Sequence, residues 1–452
     1  MARLNIKPKS TAVTHEGAPA VGNLKPIEQL KRSLLSCLLW EDSFYEDGQS
    51  IADRIKASAE QCAPEEVALL AVTARSVHNL RHAPLLLLEV LSRTGAGKPG
   101  LVSGAIAQTI QRADEISEFL AIYTAGQKKR KLSGQVKKGI ALAFQKFDAY
   151  ALAKYDRAGK WRLRDALFMS HATPKDDEQK ALWEKLINNQ LEAPDTWEVA
   201  LSGGADKKET FERMLREGTL GYLAVLRNLR NMEQAGVDRE LIKQTLLARK
   251  GARRVLPFRY VAAARAAPSL EPIIDQALCA AIAELPPLTG RTVVMVDVSR
   301  SMEGKLSAKS DLTRMDAAAT LASIINADDL IVTTFSDALA QVPPRRGMAG
   351  VDAVINSQVH NGTRLFDAVA EINKTIKHDR LIVITDEQAD ASRFGYYIQG
   401  MVRSMPAPVC KNAYVINVAP YQNGVGYRNG FVHVDGFSEG VLKYIHAVES
   451  VD

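Results

Sequence analysis

The stretch Asp297-Val298-Ser299-Arg300-Ser301 closes an apolar, β-rich run and sets three oxygen-bearing side chains at alternate positions. Alternate residues of an extended or gently turning backbone share one side, so Asp297, Ser299 and Ser301 face the same place. Two more polar stretches follow. Asn361-Gly362-Thr363 opens a helix at Arg364-Leu365, and Thr385-Asp386-Glu387 ends another apolar run. Hydroxyls and carboxylates without a Cys or His among them form a hard, oxygen-only donor set. Such a set suits Mg2+, or Mn2+, better than zinc or copper. A divalent cation is therefore expected at Asp297, Ser299, Ser301, Thr363 and Asp386.

Other chemistries fit these residues less well. A phosphate-binding P-loop needs a Gly-rich run ending in Gly-Lys-Ser/Thr, which is missing. An aspartyl-phosphate hydrolase built on Asp297 would want a second carboxylate two residues on, and that residue is Ser299. Helix capping and turn formation by Ser and Asp would explain any one of these residues alone. It does not readily explain all of them at three strand ends. No catalytic chemistry is expected.

Those ends must be positioned by a sheet. After Leu285-Pro286-Pro287-Leu288-Thr289-Gly290 come the runs Thr292–Val296, Leu330–Phe335, Leu381–Ile384 and Ala413–Val418. Helical stretches separate them at Met315–Ile325, Leu365–Ile376 and Gly440–Val448. Short buried strands alternating with helices predict a doubly wound parallel sheet, since parallel strands need crossover connections. Such sheets bind ligands outside the carboxyl ends of their strands.

The N-terminal part reads differently. Residues 1–23 lack periodicity and are expected as an extended arm. From Pro26 to about Ile282 apolar residues recur every three or four positions between short breaks, as in Val67–Val77, Ala83–Leu91, Gln135–Tyr150, Leu220–Met232 and Arg239–Ala248. That pattern predicts a long series of short helices, an α-solenoid or irregular array, although no fixed sequence period is visible. The expected division is an arm at 1–23, a helical domain at 24–284 and an α/β domain at 285–452.

Charge follows this division. The net of +6 over 452 residues identifies no partner by itself. Residues 1–290, however, carry 42 Lys/Arg against 34 Asp/Glu, and residues 291–452 carry 16 against 18. The basic excess clusters. Lys128, Lys129, Arg130 and Lys131 precede Lys137 and Lys138. Lys154, Arg157, Lys160, Arg162 and Arg164 interleave with Tyr155 and Trp161, and a third group holds Arg249, Lys250, Arg253, Arg254, Arg259 and Arg265. Lys and Arg neutralise phosphates, and aromatic rings stack on unpaired bases, so a nucleic acid competes with the plainer reading of solvated helix faces. Cys37, Cys62, Cys279 and Cys410 are too scattered for a zinc site or redox pair. The N-terminus has no signal-like apolar region and no run is long enough to span a bilayer. A cytoplasmic protein without a membrane partner is expected.

The pattern Asp-x-Ser-x-Ser, then Thr, then Asp, at Asp297, Ser299, Ser301, Thr363 and Asp386, resembles the metal-ion-dependent adhesion site of von Willebrand factor A domains. By that resemblance Ser299, Ser301 and Thr363 contact the cation, and Asp297 and Asp386 act through bound water. Glu387 departs from it, since many members carry Gly there. In the basic half, Lys154-Tyr155, Trp161, Arg164-Asp165, Ser170-His171 and Pro174 resemble the TROVE module of Ro ribonucleoproteins. So do Leu223–Met232, with its Leu-Arg-Asn-Leu-Arg-Asn, and Pro257-Phe258-Arg259. In that family the module precedes a von Willebrand A domain.

The resemblance implies a HEAT-like helical ring that binds small noncoding Y RNA on a basic outer face. Single-stranded ends of misfolded or decaying RNA would pass into its central hole. RNA contacts are expected at Lys128, Lys129, Arg130, Lys131, Lys137, Lys138, Lys154, Arg157, Arg164 and His171. His171 taken alone reads as a packing or helix-end histidine. The resemblance further implies a monomer, with an exoribonuclease as a partner. The competing expectation is a cation-dependent protein-interaction adaptor that binds no RNA.

Overall fold

A computed structural model describes residues 25–35, 48–125, 131–156, 159–252, 257–284, 286–305, 312–388, 404–419 and 430–435, together with residues 255, 425, 445 and 449. The expected arm at 1–23 lies outside the described residues, as does most of the helix expected at 440–448.

Helix α1 (Pro26–Leu35) is followed by α2 (Gly48–Glu60), α3 (Pro64–Ser76), α4 (His82–Thr94), α5 (Leu101–Thr109), α6 (Asp114–Tyr123), α7 (Gly134–Phe144) and α8 (Ala149–Tyr155). Then come α9 (Leu163–Ser170), α10 (Asp177–Ile187), α11 (Trp197–Ser202), α12 (Lys207–Glu217), α13 (Tyr222–Gln234), α14 (Arg239–Ala248), α15 (Phe258–Ala266) and α16 (Glu271–Ala283). Local chemistry sets many of these boundaries. The side chains of Ser133, Asp148, Asp176, Thr196, Asp206 and Asp238 each accept a backbone N–H of the first turn that follows. These bonds satisfy donors that a helix start otherwise leaves open.

Residues 48–277 form one compact unit. Within it each helix tends to pack on the helix two further along: α2 on α4, α3 on α5, α4 on α6, α5 on α7, α7 on α9, and again α12 on α14 and α13 on α15. Helix hairpins stacked in two layers are the architecture of a HEAT-like array, which shares a continuous core among neighbours. The family-like segment Leu223–Met232 lies on α13, where Val225, Leu226, Leu229 and Met232 are buried. Asn228 is buried too, and its Nδ2 donates to the Ala224 carbonyl at 2.9 Å. Much of that segment is therefore packing.

The second unit holds the sheet and everything described from Leu278 on. Its strands are β1 (Leu288–Asp297), β2 (Ala327–Phe335), β3 (Leu339–Val342), β4 (Arg380–Thr385), β5 (Asn412–Asn417) and β6 (Val432–Asp435), with helices α17 (Arg314–Ile324), α18 (Gly347–Ile355) and α19 (Leu365–Thr375) between them. The order is β3-β2-β1-β4-β5-β6. All neighbours run parallel except β3, a short antiparallel edge beside β2. Val293 and Met295 of β1 share a core with Leu365, Val369 and Ile372 of α19, with Leu381 and Val383 of β4, and with Val415 of β5. α1 belongs to this unit and packs beside β6. Grouping it with the helical domain, as the division at residue 284 does, differs from the structure.

Candidate metal centre and nucleic-acid interface

The chain leaves β1 toward β2 on one side and returns to β4 on the other. This reversal opens a crevice at the carboxyl ends of β1 and β4, the usual ligand position of such sheets. Asp297 ends β1 and Thr385 ends β4. The two are bonded, Thr385 Oγ1 donating to Asp297 Oδ2 at 2.6 Å. The other oxygen of Asp297 accepts from the Ser299 backbone N–H at 2.9 Å. That bond turns the chain so that Ser299 Oγ and Ser301 Oγ lie 3.2 Å apart. The Asn361-Gly362-Thr363 loop is tied in through its backbone: the Arg300 N–H donates to the Asn361 carbonyl at 3.0 Å. Ser336 then clamps Asn361 and Gly362, accepting from the first N–H at 2.8 Å and donating to the second carbonyl at 3.1 Å.

Asp297, Ser299, Ser301, Thr363 and Asp386 are all buried. The structure thus brings Asp297, Ser299 and Ser301 together directly, with the loops of Thr363 and Asp386 fastened beside them. Burial, and secondly the nearby Asp386 carboxylate, push the Asp297 carboxyl up to about 7, against the lowering effect of Ser299 and Thr385. Two buried carboxylates this close need a positive charge between or beside them. Part of it comes from Arg314 at the start of α17, whose buried guanidinium lies 3.9 Å from Asp386 Oδ2. Among the described residues no three His, Cys, Asp or Glu side chains converge on a metal position. The hydroxyls of Ser299, Ser301 and Thr363 are therefore essential to any cation site here. That donor set fits a hard cation of the Mg2+ class.

Glu387 is the departure the sequence flagged. Its φ is 61°, in the left-handed region where glycine is preferred, at a cost of about 1–2 kcal/mol for other residues. Its fully buried side chain pairs with His433 of β6, which fastens the third loop across the sheet edge. Thr385, Arg314 and Ser336 were not picked out as site residues from sequence. Their roles depend on which strands become neighbours, and no local pattern carries that.

On the helical unit, Lys128, Lys129, Arg130 and Arg157 lie outside the described residues. Lys131 is exposed, and its carbonyl accepts from Tyr123 Oη at 3.2 Å just before the Ser133 cap. Lys137 and Lys138 lie on the first half of α7, the first half-buried and the second exposed. Lys154, at the end of α8, reaches Tyr150 Oη at 3.2 Å and sits over that ring. Arg164 opens α9 and lies 3.9 Å from Asp165. His171 ends α9, exposed, with φ 52°.

The interleaved aromatics carry contacts of their own. Trp161 Nε1 donates to Thr124 Oγ1 at 3.0 Å, and the Tyr155 ring lies 4.4 Å from the Arg112 guanidinium. Arg162 is paired with Asp156. Among the described residues the exposed rings are Tyr150 and Phe168.

Comparison with known proteins agrees with this architecture. Residues 188–276 match the TROVE domain family. Among solved structures, the crystal structure of the Deinococcus radiodurans Ro (RSR) protein matches with a TM-score of 0.62 at 17% identity, covering 94% of this chain and 100% of that one. Identity this low speaks for the fold. The resemblance read from sequence, to TROVE-module Ro proteins with a C-terminal von Willebrand A domain, is thus supported by a family match within the helical unit and a shared fold over nearly the whole chain.

Proposed function

We propose that this protein binds RNA without catalysing its chemistry, in the manner of a Ro protein. Small noncoding Y-like RNA would lie against the basic helical surface, and single-stranded ends of misfolded or decaying RNA would be taken up in RNA quality control or processing. The observation that carries this reading is the TROVE match at 188–276 inside a Ro-like fold. Lys131, Lys138, Lys154 and His171 give the surface its means, since each presents nitrogen to solvent or to an exposed ring. An exoribonuclease partner belongs to the same proposal.

The cation is a second part of the proposal. Ser299, Ser301 and Thr363 would hold Mg2+ directly, and Asp297 and Asp386 would supply the balancing charge. Bound there, the cation would offer an acidic coordination position to an oxygen ligand. A carboxylate of a protein partner is one such ligand, so cation-dependent adaptor function through the sheet unit stands beside RNA binding. The buried, cross-bonded hydroxyl pair of Ser299 and Ser301 favours it. The lack of an acid two residues beyond Asp297 argues against a phosphohydrolase built on that carboxylate.

Filter binding of a small structured RNA over a salt series tests the first reading. Affinity falling steeply with salt, and weaker binding of duplex DNA, is the expected result; no salt dependence would refute it. A pull-down that is lost in Asp297→Ala but survives nuclease would favour the adaptor.

A further inference from the structure

Arg314 opens α17 and is only 3% exposed, yet that helix does not need its guanidinium to start. Thr313 Oγ1 accepts from the Asp316 N–H at 3.1 Å, and Asp316 Oδ2 accepts from the Thr313 N–H at 2.7 Å, a closed capping box. Nor does the helix favour a cation there. Its first turn is the positive end of the helix dipole, where anions are stabilised. Arginine is rarely buried unless it is paired, so a buried arginine at this position answers to something outside α17.

What it faces is the metal centre. The Arg314 N–H donates to the Gly304 carbonyl at 2.9 Å, and the Gly304 N–H donates to the Ser301 carbonyl at 3.2 Å. The start of α17 is thereby fastened to the loop that carries Ser299 and Ser301. From there Arg314 Nη1 lies 3.9 Å from Asp386 Oδ2, too far for a hydrogen bond but close enough for a strong charge interaction. The other Asp386 oxygen accepts the Gln388 N–H at 3.3 Å. Asp386 thus turns one oxygen to its own loop and the other to a fixed positive charge.

We propose that Arg314 is a positioning residue of the metal centre, a built-in counter-charge that holds Asp386 before a divalent cation binds and opposes the cation once it does. The inference rests on the cation reading above and deepens it. Because one counter-charge is always present, loading changes the charge at the crevice while the sheet unit stays folded in either state.

Thermal melts and Mg2+ titration calorimetry on the full chain, at one fixed pH, test it. Arg314→Met keeps an unbranched side chain and removes the charge. In chelator its midpoint should fall by roughly 6–20 °C, as for a stranded buried partner, and saturating Mg2+ should recover most of that loss. Its Mg2+ affinity should exceed that of wild type by about tenfold, because a like charge is gone. Arg314→Lys keeps a point charge, which is enough where the contact to Asp386 is not a hydrogen bond. It should melt close to wild type in chelator. Equal Mg2+ affinity in wild type and Arg314→Met overturns the role of Arg314 and leaves the cation site standing. So does an Arg314→Met protein that stays unfolded in saturating Mg2+, or an Arg314→Lys protein that melts like Arg314→Met. No Mg2+ response in either wild type or Arg314→Met overturns the cation site and this inference together.

Discussion

Thr385 Oγ1 donates to Asp297 Oδ2 across the β1–β4 seam, and that bond joins two of the three loops that form the candidate metal centre. It is a buried hydroxyl on a buried carboxylate, so its removal leaves charge uncompensated. Thr385→Val should destabilise the sheet unit by about 1–3 kcal/mol. It should also weaken Mg2+ binding, because the carboxylate becomes harder to ionise. Thr385→Ser should restore both. Chemical denaturation, with and without Mg2+, reads the two effects separately.

The raised Asp297 carboxyl gives a pH signature. Its folded value of about 7 exceeds the ordinary 3.8. Between those values the folded protein holds a proton that the unfolded chain has lost. This contribution to stability is therefore fully present below pH 3.8 and disappears as pH rises through 7, with a slope of at most about 1.4 kcal/mol per unit. In chelator, wild type should lose stability from pH 5 to 7.5 relative to Asp297→Asn, which has nothing to titrate there. Saturating Mg2+ should reverse that sign, since the cation binds the ionised form. Parallel profiles of wild type and Asp297→Asn in chelator would refute the assignment.

The helical unit has its own buried charge. Glu115 of α6 is fully buried and accepts from Arg75 of α3 at 2.9 Å and from the backbone N–H groups of Gln111 and Arg112 at 2.8 and 3.1 Å. Removing one member of such a pair strands the other, so Glu115→Ala should cost about 3–5 kcal/mol. Loss of hydrogen-exchange protection in α3 through α6, with the sheet unit unchanged, is the expected readout.

Close helix packing is tested at Gly139. A Cβ there would meet Ile106 Cβ at 2.7 Å and the Ser103 carbonyl oxygen at 3.0 Å, so α5 and α7 approach closely because residue 139 lacks one. Gly139→Ala gains helix propensity but forces the two helices apart, and overpacking of this kind costs about 1–3 kcal/mol. A lower thermal midpoint is expected. A rise would mean that the neighbours give way.

These tests follow the line between what sequence carried and what it did not. The alternation Asp297, Ser299, Ser301 was legible because a strand end projects alternate residues together. Strands β1, β2, β4 and β5 were legible as β-branched runs, whereas β3 was not. Four residues with Ala and Gln in the middle, on a half-exposed edge, carry little periodicity. Thr385, Arg314 and Glu387 acquire their roles only when β1, β4, β6 and α17 are adjacent. The same holds for charge. Arg162 looked like part of an RNA surface, yet Asp156 pairs with it, and the Trp161 N–H is taken by Thr124, a partner 37 residues away that no local pattern shows. Spacing shows where cations lie along a chain; only the fold shows which are already paired.

Lys137 and Lys138 provide the measure of the phosphate-binding role. They sit one after the other in the first turns of α7, half-buried and exposed respectively. If both neutralise phosphates of a single strand, each adds about 0.7 to the slope of log affinity against log salt. Changing both to Ala should therefore reduce that slope by roughly 1.4 and weaken every RNA sequence alike. A double Lys variant with unchanged slope would place both lysines among ordinary solvated charges and move the phosphate contacts to other basic clusters of the helical unit.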